Sequence, residues 1–287
     1  LVPTLRVDDR DVRLTNLDKI LYPTTGTTKA DVIHYYVGVA EYLIRYAHDR
    51  PATRKRWPDG VQSESFFEKN LREHAPIWIA RASLQHSDRV ASYPLINDTS
   101  TLLALAQSAA LELHVPQWQF DSAGTPQAPD RLVIDLDPGD PAGLDECCEV
   151  ALAARDWLGA DGLASYPVTS GSKGMQLYAN VVDHDARTDT TAYAKHMAAE
   201  LTLALPDLVL GHMTRADREG KVFVDWSQNN PAKTTIAPYS LRGRAQPNAA
   251  APRTWEEVEA GGLSQLRFDE VLGRIDQLGD PLSGLLD

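Results

Sequence analysis

Asp135 and Asp137, two aspartates separated by one residue, close the apolar run Leu132, Val133 and Ile134, and Pro138-Gly139 follows them with turn chemistry. A strand alternates its side chains with period two, so both carboxylates face the same way. Carboxylates crowded beside a hydrophobic run repel each other and lose hydration unless a cation or hydrogen-bond donors offset the cost. A divalent cation would satisfy both; a solvated strand end or a cap on the next helix would need none. Asp225, in Lys221-Val222-Phe223-Val224-Asp225-Trp226, is a third acid in strand context. Thr169-Ser170-Gly171-Ser172-Lys173-Gly174 offers backbone N–H groups, hydroxyls and a lysine charge to a phosphate, or is simply a flexible hairpin loop. It is not a Walker A loop, because its glycine spacing differs and it joins two strands.

The elements that must position these residues follow in order. A strand at 132–137 leads to a helix from about Ala142 to Leu158. Strands at 164–169 and 175–181 flank the Gly-rich loop. A helix from about Thr190 to Leu205 precedes a strand at 221–226. This is β-α-β-β-α-β, the split βαβ arrangement of RRM-like sheets. Right-handed crossovers make the first two strands parallel with the third between them, giving the order 4-1-3-2. Asp225 then neighbours the strand of Asp135 and Asp137, and the loop ending at Gly174 arrives beside Asp137. Three acids at one sheet end suit a pair of Mg²⁺ or Mn²⁺ ions and phosphoryl transfer.

Upstream, residues 1–27 read as loop. Thr27 or Thr28 caps a helix to about Ala47, with Val32, Tyr35, Tyr36, Val39, Leu43 and Tyr46 on its apolar face. Pro51 to Phe67 reads as two short strands around Pro58-Asp59-Gly60. At most one of the consecutive Phe66 and Phe67 can be core. The other is either an idle edge aromatic or a platform for a base. Asp98 or Thr99 caps a helix to Leu113, which leaves His114 just beyond it, as a ligand-facing or a structural histidine. The best candidate boundary, Gln117 to Asp130, does not break the chain into independent parts. The class is α/β (α+β): one domain over 1–287, with an N-terminal α/β module at 1–120, the catalytic sheet at 131–250 and C-terminal helices at 251–287.

Composition bounds the function. Apolar content of 43% and charged content of 24% are those of a globular protein. No apolar run approaches the roughly 18 residues of a membrane span, and no signal pattern opens the chain. The only cysteines, Cys147 and Cys148, are adjacent, which suits neither a disulfide framework nor a zinc site, so a cytoplasmic location is expected. The net charge of −12 argues against nucleic-acid binding by the chain taken whole. Yet residues 1–120 hold 14 basic and 14 acidic residues, so the remainder carries the entire deficit. A phosphate backbone, if bound, meets the first 120 residues, where Arg50, Arg54, Lys55 and Arg56 cluster.

Several motifs in order resemble those of the polymerase domain of bacterial ATP-dependent DNA ligase D, the end-joining branch of the archaeo-eukaryotic primase superfamily. They are Leu21-Tyr22-Pro23, Lys55-Arg56-Trp57-Pro58-Asp59-Gly60, Phe66-Phe67-Glu68-Lys69-Asn70, Leu111-Glu112-Leu113-His114, Asp135 to Gly139, Thr169 to Gly174, Asp225-Trp226 with Gln228-Asn229, and Ala237-Pro238-Tyr239-Ser240-Leu241-Arg242. The resemblance implies a primase-polymerase fold and nucleotide addition to 3′ ends of DNA during end joining, with ribonucleotides and manganese preferred. It implies Asp135, Asp137 and Asp225 as ligands of two Mn²⁺ or Mg²⁺ ions. Ser170, Lys173, His114, Lys55, Arg218, Gln228 and Arg242 would form the nucleotide pocket. Asn16, Lys19 and Lys29 would hold a recessed 5′-phosphate, and Phe66 and Phe67 would stack on DNA. The implied partners are 5′-phosphorylated DNA ends, template and primer strands, NTP or dNTP, Ku, and an ATP-dependent ligase in cis or in trans, with the chain monomeric and nucleoid-associated. Three positions depart from the pattern. Gln176 stands where such sequences often carry His, and Trp226 and Trp57 replace a more usual Tyr and Phe. No ligase lysine motif or nuclease segment is recognised, so an excised domain or a stand-alone polymerase is expected. The alternatives are a non-catalytic DNA-end-binding module and a metallophosphohydrolase.

Overall fold

The computed structural model describes residues 3–87, 89–212 and 218–286. Residues 1–27 are not plain loop. They form the hairpin β1 (Thr4–Val7) and β2 (Arg10–Arg13), then the pair β3 (Ile20–Tyr22) and β4 (Thr27–Thr28). The first turn uses Asp8 and Asp9 at φ 50° and 58°, without the glycine that usually announces such a hairpin. The helix expected to reach Ala47 is two, α1 (Lys29–Gly38) and α2 (Ala40–Ala47), broken at Val39. Thr28 caps α1 in a reciprocal box with Asp31.

β5 (Thr53–Arg56) and β6 (Phe66–Glu68) form the expected hairpin, and β7 (Arg81–Gln85) and β8 (Val90–Pro94) form another. Asp98 caps α3 (Thr99–Gln107), but this helix stops six residues short of Leu113. Ala109, at φ 59°, turns the chain into β9 (Ala110–Val115). His114 therefore lies on a strand, where residues two apart share a face; a run of Ala and Leu reads equally as buried helix or buried strand.

The second half follows the expected order closely: β10 (Arg131–Pro138), α4 (Leu144–Ala160), β11 (Ser165–Thr169), β12 (Met175–Asn180), α5 (Thr190–Ala204), β13 (Val209–Leu210) and β14 (Val222–Asp225). β15 (Thr235–Ile236), β16 (Ala251–Pro252), α6 (Trp255–Ala260) and α7 (Phe268–Leu278) complete the chain. The larger sheet runs β13-β14-β10-β12-β11-β16 and contains the 4-1-3-2 order of the split βαβ unit, with one short strand added at each edge. The second sheet runs β15-β9-β5-β6.

Period-two alternation gives the larger sheet two unlike faces. Leu132, Ile134 and Leu136 of β10, with Met175, Leu177, Ala179, Val222 and Val224, pack under Val150, Ala151 and Ala154 of α4 and Ala194, Met197 and Leu201 of α5. The opposite face carries Val133, Asp135 and Asp137. Its lower part, with Val168 and Tyr178, joins a core that draws on residues from Val12 to Leu285. The acids thus lie where that core gives way to a cleft. Cys147 and Cys148 are free and buried in the helical core. Among the described residues, no helix is long and apolar enough to cross a membrane.

Candidate active site

The register places Asp225 directly opposite Asp135, and Asp135 directly opposite Gln176. Residues paired across neighbouring strands share a face, so these three side chains form one row across β14, β10 and β12. Asp137 lies one step along the same face, opposite Phe223. Burial pushes the Asp135 carboxyl up to about 7, and the Asp225 and Asp137 charges push the same way; the Gln176 hydrogen bond and Arg242 pull against them. Gln176 Nε2 donates to Asp135 Oδ1 at 3.1 Å, and its own Oε1 accepts from Tyr178 at 2.9 Å. The unusual glutamine therefore orients a carboxylate through a two-bond relay.

The other two acids have protein partners. Asp137 takes Nη1 of Arg218 at 3.2 Å. Asp225 accepts from Ser227 N at 3.1 Å and Gln228 Nε2 at 2.7 Å, which ties the strand end to the short 3₁₀ turn at Trp226–Asn229. Among the described residues, no three His, Cys, Asp or Glu side chains are gathered tightly enough to form a ready cation cage. Asn229 supports the row from below, its amide bonding both N and O of Val133 where β14 has ended.

A cleft of about 280 Å³ opens over this face, lined by Asp135, Asp137, Ser170, Lys173, Gln176, Gln228, His114 and Arg242. Five of the seven expected nucleotide residues thus converge, and they come from both sheets. The Gly-rich loop reaches the cleft because Gly174 lies against β10; a Cβ there would overlap the Leu136 carbonyl oxygen and lie 2.9 Å from the Pro138 ring. Gly171, at φ 71°, lets the loop pass Arg242, whose Cγ would be 2.6 Å from an added Cβ. Lys173 is exposed, with Nζ 3.3 Å from Asp140.

The remaining expected residues stand outside the lining. Lys55 faces the same side as Glu112 and Phe67, its Nζ 4.9 Å above the Trp57 ring and 5.2 Å above Phe67. Arg218, expected on phosphate, is held by Asp137. Phe67 meets the His114 ring at 5.8 Å, whereas Phe66 lies on the opposite face over Arg56 at 5.3 Å. Asn16 is exposed at φ 53°. Lys19 pairs with Asp59 at 2.7 Å. Lys29 is 6% exposed and donates to the Thr15 carbonyl at 3.1 Å. Its pKa is lowered by burial first, then by Lys19 and Arg56.

Glu112 lies at the centre of the second sheet's contribution, and sequence reading assigned it no role. Its carboxylate is buried, meets His114 Nε2 at 2.9 Å and Arg242 Nε at 3.6 Å, and accepts Gly243 N at 3.0 Å. Burial would raise its pKa, but the His114 hydrogen bond, Arg242 and the Gly243 N–H hold it at about 2. A permanently ionised Glu112 thus fixes two of the cleft's basic groups. The available signal was the Glu-x-His spacing, which puts both side chains on one face once β9 is read as a strand.

Known proteins with this architecture point one way. A 50% identical stretch of 274 residues covers 96% of this chain and 36% of the multifunctional non-homologous end joining protein LigD of Mycolicibacterium smegmatis. The bifunctional non-homologous end joining protein LigD of Bacillus subtilis is 34% identical over 272 residues, 94% of this chain and 43% of that protein. The solved polymerase domain from Mycobacterium tuberculosis ligase D in complex with DNA superposes with a TM-score of 0.92 at 51% identity, covering 96% of this chain and 97% of that one. The chain thus spans 36–43% of the length of these two LigD relatives, and nearly all of the solved domain. With residues 28–282 matching the family described as LigD, primase-polymerase domain, the chain belongs to that family and has its primase-polymerase fold.

Proposed function

We propose that this chain is a metal-dependent nucleotidyltransferase that extends 3′ ends of DNA at breaks and gaps, with ribonucleotides preferred, in end joining. One observation carries the reading: Asp135, Asp137 and Gln176 line one cleft with His114, Ser170, Lys173 and Arg242, and Asp225 pairs with Asp135 at the cleft's edge. Acids on one side and phosphate-binding donors on the other are the two halves that transfer from a triphosphate requires.

The donor set fits two Mn²⁺ or Mg²⁺ ions. Three carboxylates would supply hard oxygen ligands once Arg218 leaves Asp137, and a cation would offset the burial and the Asp225 and Asp137 charges that push the Asp135 carboxyl up. Bound there, such ions would activate the 3′-hydroxyl and neutralise the departing pyrophosphate. Asp135, Asp137 and Asp225 would hold them, with Arg218 passing from Asp137 to the triphosphate. Ser170, Lys173, Gln228 and Arg242 would orient the nucleotide, and Lys55 and Phe67 would contact template or primer.

Lys29 supports a site for a recessed 5′-phosphate, with Lys19 and Asn16. A lysine this buried that meets a backbone carbonyl rather than a carboxylate suits an incoming anion. The tuberculosis relative was solved in complex with DNA, which supports DNA as the ligand class. Ku and an ATP-dependent ligase are the proposed partners, with the chain acting as a monomer.

The test is primer extension on a gapped, 5′-phosphorylated duplex, with NTP or dNTP, in Mn²⁺ or Mg²⁺. Extension should require the metal and favour NTP. Asp137→Ala should abolish it while end binding persists. Wild-type extension by Asp137→Ala would overturn the assignment.

A further inference from the structure

A second basic pocket lies behind the β5–β6 hairpin, on the face away from the cleft. Alternation along β5 sends Arg54 and Arg56 one way and Lys55 the other, and their partners Glu68 and Phe66 follow. The pocket holds about 340 Å³, within the range of small-ligand sites. Leu71, Pro76, Ile79 and Leu105 give it apolar walls, and its floor is charged. Arg54, Arg56 and Arg72 all approach the single carboxylate of Glu68 at 3.1 Å. Three guanidinium charges therefore share one acid. Arg54 is 1% exposed, and its Nε and Nη1 have no hydrogen-bond partner among the described residues. A buried guanidinium with idle donors is costly unless an anion completes it.

Two features identify the anion's class. Arg56 donates to the carbonyl of Ser108 on the pocket wall at 2.8 Å, and the adjacent Gln107 donates to the same Thr15 carbonyl that Lys29 meets, so the pocket lies beside the proposed 5′-phosphate site. Phe66, 44% exposed, stacks over Arg56 on this same face. We propose that this pocket receives one unpaired nucleotide at the 5′ side of a DNA end. Its phosphate meets Arg54 and Arg72, and its base lies between Leu71, Pro76 and Leu105. The proposal rests on the DNA-end reading above and adds a site to it: the enzyme would hold gaps whose downstream strand carries a short 5′ flap.

The experiment compares binding of three 5′-phosphorylated gapped duplexes, with no flap, a one-nucleotide flap and a one-residue abasic flap. The expected result is that the flap tightens binding about fivefold to tenfold, and that the abasic flap gives only part of the gain. Arg72→Ala, at an exposed position, should erase the gain and leave flapless binding nearly unchanged. Ala75→Leu, which narrows the pocket without touching charge, should do the same. Equal binding of flap and flapless DNA overturns the proposal, as does a uniform loss in Arg72→Ala or a gain insensitive to Ala75→Leu. Failure of the DNA-end reading itself would appear separately, as indifference of the flapless gap to its 5′-phosphate.

Discussion

Asp135→Asn is expected to make the metal-free protein more stable at alkaline pH and to inactivate it. The carboxyl has an ordinary value of 3.8 and is held at about 7 in the folded chain, first by burial and then by Asp225 and Asp137. A folded-state pKa above the unfolded one means that the native state binds the proton more tightly. Stability linked to this group is therefore full below about pH 4 and is lost as pH rises toward 7. The gap between 3.8 and about 7 corresponds to a ceiling of about 4 kcal/mol. Solvent at the open cleft screens part of that, so about 1–3 kcal/mol should be recovered by an uncharged isostere. Asn can keep a hydrogen bond to Gln176. Thermal melts at pH 8 with chelator should place the variant a few degrees above wild type, and melts at pH 4 should coincide. Mn²⁺ should raise the wild-type melting temperature, increasingly so above pH 7, and should do much less for the variant. An unchanged or lower melting temperature for the variant at pH 8 would refute the claim that crowded charge destabilises this site. An undiminished Mn²⁺ effect would refute its role as a ligand.

Glu112→Gln keeps the shape that holds His114 and Arg242 but removes the charge, so KM for nucleotide should rise about tenfold with a smaller change in kcat. The same variant should lose the acid dependence of stability between about pH 4.5 and pH 2, because a depressed carboxyl contributes above its unfolded pKa and fades as pH falls; an unchanged KM and acid limb would exclude this role. Gly174→Ala should push the phosphate loop off β10 and cut turnover at least about tenfold, whereas Gly159→Ala, with no atom near its new Cβ, should leave activity at the wild-type level in the same extension assay. Lys19→Ala with Lys29→Ala should couple to removal of the downstream 5′-phosphate by about 1–3 kcal/mol in a double-mutant cycle. Strictly additive losses there would mean the lysines grip general backbone.

The catalytic sheet was legible because each of its signals was local and of one kind. Apolar runs of strand length alternated with helix-length segments, and the handedness of crossovers did the rest, so Asp225 could be set beside Asp135 across 90 residues of chain. The Gly-rich loop was placed by the same topology, and the close approach at Gly174 explains why that residue has no side chain. Signals failed where length was ambiguous. Residues 99–113 are rich enough in Ala and Leu to read as a helix throughout, and only the positive φ of Ala109, invisible in a residue type that rarely adopts it, divides them. That one error hid Glu112, since on a helix residues 112 and 114 do not face together. The hairpin at residues 4–13 escaped for a related reason, its turn being made by two aspartates.

The doublet Phe66-Phe67 shows how a sequence constraint can be right and still understate the structure. Strand alternation allowed at most one of them into a core, and neither enters: they are 44% and 60% exposed. Each has a cation from the neighbouring strand beneath it, Arg56 under Phe66 and Lys55 under Phe67. Two adjacent aromatics over two adjacent cations make a ribbon that is equipped on both faces. An edge hairpin with no ligand on either side would hide such rings or replace them with polar residues. On these proposals the β5–β6 hairpin stands between the cleft proposed for the nucleotide, on the Lys55 side, and the pocket proposed for the flap, on the Arg56 side. Substituting the rings singly should separate their functions: Phe67→Ala should impair extension on every gapped substrate, and Phe66→Ala only the preference for a 5′ flap.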